Sequence, residues 1–493
     1  MNALLIYPTF PDTYWGFRHA LSFQGKRAAQ PPLGLMTVAA LLPTSWRKRL
    51  VDCNVEPLKE RDLAWADVAL VSGMHIQREQ LIAIVERCRS RGLRTVVGGP
   101  IASSMSAAVL KADHVVIGEA ESLIPVLARD LEAGEGRSVY EAAEKPAMED
   151  SPLPDLTLIR MNRYSTMTVQ YSRGCPFNCE FCDIIAIYGR RPRTKAVAQV
   201  LAELDQLRRA GWRDTVFVVD DNFIGNKKGA KDLLTAMAGW GRLHGYPFRF
   251  STEASLNVAD DPELLQLMKN AGFASVFLGI ETPDEDSLIA NHKLQNRRRD
   301  LLESVRTIQN YGIEVMGGFI LGFDTDREDI FDRMVEFIQK SAIPVAMVGL
   351  LQAMPGTQLF HRLRNEDRIV DAGDGDNTDG KLNFLPRMDP ATLMDGYRSV
   401  LERIYSCEAY YERVELFLRR CRPPKAVRLS YANLRALVAS LLRQGLLGPD
   451  RLSYWKFMLA AATRYRRSFG IAITMAVLGY HFQAMTQRLM ETK

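Results

Sequence analysis

Cys175-Pro-Phe-Asn-Cys179-Glu-Phe-Cys182 sets three thiols within eight residues of one another. Such spacing lets a single tight loop aim three thiolates at one centre and leaves a fourth coordination position unclaimed by nearby sequence. A closed zinc site would normally add a second Cys or His pair at knuckle spacing, and Cys53, Cys88, Cys407 and Cys421 stand in no such pair. Three thiolates with one vacant corner suit an iron–sulfur cluster whose free iron takes a ligand. A zinc knuckle or three incidental buried cysteines are the competing readings.

Outward from that loop, apolar runs of strand length lie near Thr168–Tyr171, Thr215–Val219, Phe248–Glu253, Ser275–Glu281, Glu314–Leu321 and Val345–Gln352. Amphipathic segments between them include Ala196–Ala210, Glu263–Ala271, Asp300–Tyr311 and Arg327–Lys340. Six βα units predict a partial (β/α)6 barrel of TIM type. Chemistry in such barrels gathers at the carboxyl ends of the strands, and the cysteine loop directly follows the first of them. Charged residues at the other strand ends are then candidate ligands: Asp220 or Asp221 after the second strand, Glu253 at the third and Glu281 at the fourth. Either glutamate could instead pair with a neighbouring strand end.

The Pro-rich Ser151-Pro-Leu-Pro-Asp155 marks a linker. Before it, Ala3–Tyr7, Val68–Ser72, Thr95–Gly98 and His114–Gly118 are short apolar runs ending in turn residues, and Arg78–Arg91 carries helical periodicity. The pattern predicts a parallel, doubly wound, Rossmann-like α/β domain. Ligands of such sheets sit beyond the carboxyl ends of the strands, here at Pro8 and Thr9, at Ser72, Met74 and His75, at Gly98, Gly99 and Pro100, and at Gly118 and Glu119. Glycine lets a backbone approach a large flat ligand closely. Plain turn chemistry accounts for the same glycines, and the loops alone do not choose between the two.

Composition narrows the class. A chain of 493 residues exceeds one core and predicts two or three domains. Its 63 basic and 58 acidic residues are too balanced to argue for nucleic acid. From Leu385 onward, however, 18 Lys and Arg face 8 Asp and Glu. Seven cysteines, three of them clustered, do not form a disulfide framework and point to a reducing compartment. The opening Met1-Asn-Ala-Leu-Leu-Ile-Tyr-Pro lacks a basic region and cleavage site, so a cytoplasmic location is expected. The apolar run Phe469 to Phe482 is shorter than the ~20 residues that span a membrane. Behind Arg464, Arg466 and Arg467 it could lie on an anionic membrane surface, or form a buried helix of a small C-terminal domain. Asn365 to Lys381, rich in Asp and Gly, reads as a mobile loop. Asp389 to Lys493 reads as helical, broken at Arg422-Pro-Pro424 and Gly445–Pro449. Its stripe of Tyr397, Tyr405, Tyr410, Tyr411, Tyr431, Tyr454 and Tyr465 reads as core packing.

Cys-x3-Cys-x2-Cys with an aromatic residue before the last Cys resembles the signature of the radical S-adenosylmethionine superfamily. The resemblance implies that Cys175, Cys179 and Cys182 hold a [4Fe–4S] cluster, with Phe181 beside the adenine. S-adenosylmethionine would then chelate the fourth iron, and one electron would cleave it to a 5′-deoxyadenosyl radical that abstracts hydrogen from an unreactive carbon. The superfamily commonly binds the methionyl amine through a Gly-Gly-Glu stretch, which Asp220-Asp221-Asn222 replaces here. A carboxylate serves an ammonium equally well. Family members place ribose and amino-acid contacts where Glu253 and Glu281 stand. Gly318-Phe-Ile320-Leu-Gly322 matches the adenine-binding Gly-x-Ile-x-Gly, and Met354-Pro355-Gly356-Thr357 resembles a loop at the barrel mouth.

An α/β domain ahead of such a barrel is similar to the cobalamin-dependent branch, which implies cobalamin at the first domain's strand-end loops. Asp-x-His-x-x-Gly, which supplies a lower axial histidine in another cobalamin class, is absent, since His19, His75 and His114 all stand in other contexts. Tyr7-Pro-Thr-Phe-Pro-Asp12, Gly25-Lys26, Pro31-Pro-Leu-Gly-Leu35 and the helical tail resemble the subgroup containing hopanoid C-2 methylases. That resemblance implies methylation of an unactivated sp3 carbon, with a hopanoid or other lipid as the substrate to expect. It also implies an electron donor such as flavodoxin or ferredoxin; the balanced charge predicts no nucleic-acid partner, and the basic, apolar C-terminal region is compatible with peripheral membrane contact. Residues 1–145 would bind cobalamin, 146–165 link, 166–375 form the radical barrel and 376–493 the helical domain. Other radical chemistry, such as cyclisation or oxidation, and a non-catalytic cobalamin or lipid sensor are the rival readings. Methylthiotransferases carry three extra N-terminal cysteines, whereas only Cys53 and Cys88 are found here.

Overall fold

Alternate residues of a strand point to opposite faces. Ala3, Leu5, Val68, Leu70 and Val96 share one buried cluster, and Leu4, Ile6, Ala69, Val71 and Val97 share another. A sheet covered on both sides reads as unbroken apolar runs. In the computed structural model, which describes residues 1–421 and 431–491, this sheet comprises β1 (Asn2–Tyr7), β2 (Arg47–Asp52), β3 (Val68–Ser72), β4 (Arg94–Gly98), β5 (His114–Ile117) and β6 (Val139–Glu141). All pairs are parallel, in the order β2-β1-β3-β4-β5-β6. Two strands exceed the four expected, and both are edges. β2 opens on Arg47-Lys-Arg and β6 buries only Tyr140, so neither carries a two-faced apolar run.

The chain then forms β7 (Met167–Val169), the short antiparallel pair β8 (Ser172–Arg173) and β9 (Arg193–Thr194), and β10 (Thr215–Val218), β11 (Arg249–Ala254), β12 (Phe273–Glu281), β13 (Glu314–Leu321) and β14 (Val345–Leu350). The six longer strands β7 and β10 to β14 are parallel neighbours in chain order, as a partial barrel requires. Helices Val197–Arg209, Lys227–His244, Pro262–Ala271, Leu301–Asn310 and Ile330–Ser341 alternate with them. Asp261 and Asp300 cap two of these helices by accepting from Leu264 N and Glu303 N. β8 and β9 bracket the cysteine loop.

The segment expected to be a mobile loop is tied down at several points. Leu350 N at the end of β14 donates to Asn377 O (2.7 Å), Tyr397 Oη donates to Thr378 O, and His75 Nε2 and Arg78 Nη1 both reach Gly373 O. Its aspartates fold it locally, as where Asp376 accepts from Thr378 N and Oγ1.

Helices Pro390–Tyr405, Cys407–Arg420, Tyr431–Ser440, Arg451–Thr463 and Phe469–Glu491 form the C-terminal part. The expected break at Arg422-Pro-Pro424 lies outside the described residues; at Gly445 a π-helical turn, Leu441–Leu446, joins two of the helices. Tyr397, Tyr405, Tyr410, Tyr411 and Tyr454 are buried and Tyr465 half-buried, so the stripe is core where it is described. Arg466–Glu491 is long and apolar enough to cross a membrane by length and composition. Ala472, Met475, Ala476 and Phe482 of that segment are nevertheless buried in the helical core, so it is a packing helix. It also receives the start of the chain: Tyr14 Oη lies 2.8 Å from Thr486 Oγ1, and His481 Nε2 donates to Tyr14 O (2.9 Å).

Candidate active site

The cysteine loop is held from its backbone. Asp220, at the end of β10, accepts from Tyr171 N (2.8 Å), Ser172 N (2.9 Å) and Ser172 Oγ (2.7 Å), and Asp221 accepts from Gly174 N (3.1 Å). Gly174 has φ +94°, and a Cβ there would lie 2.9 Å from Gly189 O, so only glycine turns the chain into the loop. Inside the loop, buried Glu180 receives a two-pronged contact from Arg362, Nε to Oε1 at 2.6 Å and Nη2 to Oε2 at 3.1 Å. Glu180 N donates to Asn291 O, and its carbonyl accepts from Leu359 N. Residues on three other βα units, following β10, β12 and β14, thereby fix the three thiols.

Donors surround the sulfurs. Asn222 Nδ2 lies 3.6 Å from Cys175 Sγ and Gln295 Nε2 lies 3.5 Å from Cys179 Sγ. Burial raises the thiols of Cys175 and Cys182 above their ordinary range, so coordination to iron has to draw off the protons. Among the described residues no group of three His, Cys, Asp or Glu side chains is placed to hold a single metal ion. Three thiols with amide donors beside two of them fit a cluster with an open corner, and the buried Gln295 Oε1 has no hydrogen-bond partner among the described residues.

Three carboxyls crowd the second and third strand ends. Burial, opposed by its hydrogen bonds, pushes Asp220 up to about 7; burial and neighbouring Asp221 push Glu253 up to about 7; burial and Asp183 push Asp221 up to about 6. Asp220 is saturated by the backbone it holds, whereas the Glu253 carboxyl accepts no hydrogen bond among the described residues. A concentrated set of buried acids is relieved by a cation. Glu281, with φ +69°, is paired with Lys293 Nζ at 2.5 Å. Burial would lower the Lys293 ammonium, but Glu281 and the thiols of Cys179 and Cys182 outweigh it and raise it. Lys293 also stands 6.0 Å from the Phe181 ring centre. Nothing at the level of the sequence singled out Lys293, which lies on a loop between helices.

Phe181 packs with Ile320, Phe323 and Leu351, its ring centre 6.0 Å from that of Phe323. Gly322, at φ +99°, ends β13, and its N–H donates to Asp326 (2.9 Å). Gly318 lies against the Phe277 ring. Phe181, Ile320 and Gly322 therefore come together as one flat apolar wall, with Gly318 farther along the same strand.

The strand ends of the first sheet face this mouth. Arg173, two residues before Cys175, donates to Glu119 (2.6 Å) and Glu121 (2.8 Å), and Arg193 also pairs with Glu119. Glu119 is thus committed to holding the two sheets together. His75 is buried rather than solvated, against Gly373 O and Ser104 Oγ, and burial lowers its pKa. Pro8 is buried, its carbonyl accepting from Gln77 and Asn54. Thr9 and Met74 are exposed, and Ser72, Gly98, Gly99 and Pro100 are half-buried. Gly99 (φ +86°) has no room for a side chain, since a Cβ would meet Ser72 Oγ at 2.4 Å, while exposed Gly118 (φ +94°) faces open space. Of these glycines Gly118 alone has open space beside it, where a broad planar ligand can approach the backbone. Tyr188 is pushed up to about 12 by burial and then by Asp221.

Models described as "B12 binding domain", "Radical SAM superfamily" and "Domain of unknown function (DUF4070)" match residues 28–128, 169–338 and 357–493. The hopanoid C-2 methylase of Rhodopseudomonas palustris is 38% identical over 94% of this chain and 89% of its own. The chain belongs to the cobalamin-dependent radical S-adenosylmethionine methyltransferases. Its cofactors are accordingly a [4Fe–4S] cluster, S-adenosylmethionine and cobalamin. An uncharacterized methyltransferase of Synechocystis sp. is 41% identical over 98% of this chain and 91% of its own. In fold, the methyltransferase matches TsrM of Kitasatospora setae with cobalamin and cluster bound, at TM-score 0.59 and 14% identity, covering 94% of this chain and 99% of that one. It also matches the cobalamin-dependent radical enzyme OxsB, at TM-score 0.63 and 15% identity, covering 99% and 80%.

Proposed function

We propose that this methyltransferase acts on an unactivated sp3 carbon of a polycyclic lipid, with C-2 of a hopanoid as the position to test first. The observation that carries the reading is the clamp of Arg173 and Arg193 on Glu119 and Glu121, which holds the cysteine loop against the glycine-rich strand ends of the first sheet. The 38% identity to a hopanoid C-2 methylase supports the substrate.

In this reading Cys175, Cys179 and Cys182 ligate the cluster. Asp221 and Glu253 receive the methionyl ammonium, because a cation there relieves the mutual repulsion of buried acids. Asp220 shapes the loop, and Glu281 orients Lys293 beside the cluster's thiolates. Phe181, Gly318, Ile320 and Gly322 form the adenine wall. Residues 1–145 present cobalamin through the backbones of Ser72, Gly98, Gly99 and Gly118, 166–375 carry the radical site, and 376–493 cover the barrel's far side. When bound, the cluster supplies the electron that breaks one S-adenosylmethionine, and cobalamin supplies the methyl group. The substrate exchanges a C–H bond for a C–CH3 bond, the hydrogen leaving on 5′-deoxyadenosine. A second S-adenosylmethionine, spent as methyl donor, would leave as S-adenosylhomocysteine, and two electrons would enter per turnover, one for the cleavage to 5′-deoxyadenosine and methionine and one to return cobalamin to the state that accepts the next methyl group. A cytoplasmic flavodoxin or ferredoxin is the proposed electron source.

Reconstituted protein, S-adenosylmethionine, cobalamin, a strong reductant and a hopanoid should yield 5′-deoxyadenosine and 2-methylhopanoid together. 5′-Deoxyadenosine without a methylated lipid would overturn the substrate and leave the reaction class intact.

A further inference from the structure

Of the eighteen exposed large apolar side chains among the described residues, eight fall between positions 434 and 459. Leu434, Val438 and Leu442 recur every fourth residue along Tyr431–Ser440 and into the π-helical turn. Leu452, Trp455 and Leu459 recur at three and four along Arg451–Thr463, and Leu446 and Leu447 lie between the two sets. Their exposures run from 49% for Val438 and Trp455 to 83% for Leu452. The opposite faces, with Ala436, Tyr454, Phe457 and Ala461, are buried. Trp455 Nε1 donates to Gly445 O (2.9 Å), and Tyr454 Oη lies 2.9 Å from Ser440 Oγ, so the pair is one rigid hairpin. Apolar residues on both faces of a surface helix require a second apolar phase outside the protein.

Charge selects that phase. Between Tyr431 and Ser468 the sequence has seven Arg and Lys against one acid, Asp450. Arg451, Lys456, Arg464, Arg466 and Arg467 are exposed and form no ion pair among the described residues. Two copies of this face would set like charge against like, whereas an anionic bilayer supplies both the acyl layer and the counter-charge.

We infer that the hairpin 431–463 is a membrane-docking face, seated in the surface of an anionic bilayer with Leu446, Leu447 and Leu452 leading. The expectation of membrane contact thereby moves from Phe469–Phe482, which is core, to the hairpin that packs over it. The inference rests on exposed side chains and not on the proposed substrate.

Full-length, cluster-loaded protein is floated with vesicles of phosphatidylcholine alone or mixed equally with phosphatidylglycerol. Binding should be at least about tenfold stronger to the mixed vesicles. Leu447→Asp with Leu452→Asp should lower it at least about tenfold again, with 5′-deoxyadenosine formation unchanged. Independently of any destabilising variant, acyl-brominated lipid should quench wild-type tryptophan emission, and Trp455→Phe should remove that quenching. Equal flotation of wild type and double variant, or no quenching through Trp455, would overturn the inference. So would a wild-type dimer, seen by sedimentation without lipid, that the double variant dissolves. Vesicles here contain no hopanoid, so failure would leave the proposed reaction standing.

Discussion

Asp220 and Asp221 are neighbours in the chain, yet Asp220 accepts three hydrogen bonds from the turn before the cysteines and Asp221 only one. Asp220 satisfies two backbone N–H groups and a hydroxyl that have no other partner in the buried turn before the cysteines. Asp220→Ala should cost about 3 kcal/mol in urea denaturation and lower iron content. Asp221→Asn keeps an acceptor for Gly174 N, so stability should change by less than about 1 kcal/mol, while S-adenosylmethionine binding weakens about tenfold; equal losses in both variants would contradict the division. Cys179→Ala should abolish cluster loading, read as iron per chain. The sequence left Asp220 and Asp221 undecided because the strand's end, not its period, sets which one turns inward. The Cys175–Cys182 loop, Phe181 and the Gly318–Gly322 strand were legible because each is contiguous. Lys293 and Arg362 were not, since their partners Glu281 and Glu180 lie 12 and 182 positions away.

At the scale of elements, legibility followed burial. Strands covered on both faces, such as β3 and β13, lie where their apolar runs end, and the edge strands β2 and β6 escaped notice because solvent takes one side of each. The Asn365–Lys381 segment misled for a related reason: Asp and Gly suit a free loop and also the tight turns that tie this one to β14 and His75. Glu314, the first residue of β13, shows what an element carries at its end. Burial, opposed by Arg249, pushes its carboxyl from the ordinary 4.5 to about 7. Protonated in the fold and ionised when unfolded, it favours the native state below about pH 4.5, and that advantage is lost as pH rises through 7. Glu314→Gln should therefore match wild type at pH 4 and exceed it at pH 8 by on the order of 1 kcal/mol, measured by denaturant titration at both values; a constant difference would exclude the carboxyl as cause.

Across the whole molecule, boundaries along the chain are not boundaries in space. Tyr14 and helix Arg18–Gln24 belong to the first sheet by position but pack on Phe469–Glu491, and the Asp371–Lys381 turns touch all three parts. Communication between the two sheets nevertheless concentrates on one cluster of charges. Burial alone would raise the Glu121 carboxyl, and Arg173 more than offsets it, holding it below the usual range. Removing that acid leaves Arg173 with Glu119 and Gln170, so the cysteine loop stays anchored through Asp220, Arg362 and β9 while the first sheet keeps Arg173–Glu119 and Arg193–Glu119 and loses Arg173–Glu121. Two reactions depend differently on this grip. Cleavage of S-adenosylmethionine needs only the barrel, whereas methylation needs the substrate carbon to meet a donor carried by the other sheet, and a misplacement of about 1 Å can cost a hundredfold. Glu121→Leu should accordingly keep iron and cobalamin content, hold 5′-deoxyadenosine formation within about twofold, and lower methyl transfer at least about tenfold. Both products, quantified in one single-turnover reaction, decide it. A parallel fall would mean that Glu121 supports the radical site itself, and unchanged methylation would mean that Arg193 with Glu119 suffices to align the sheets.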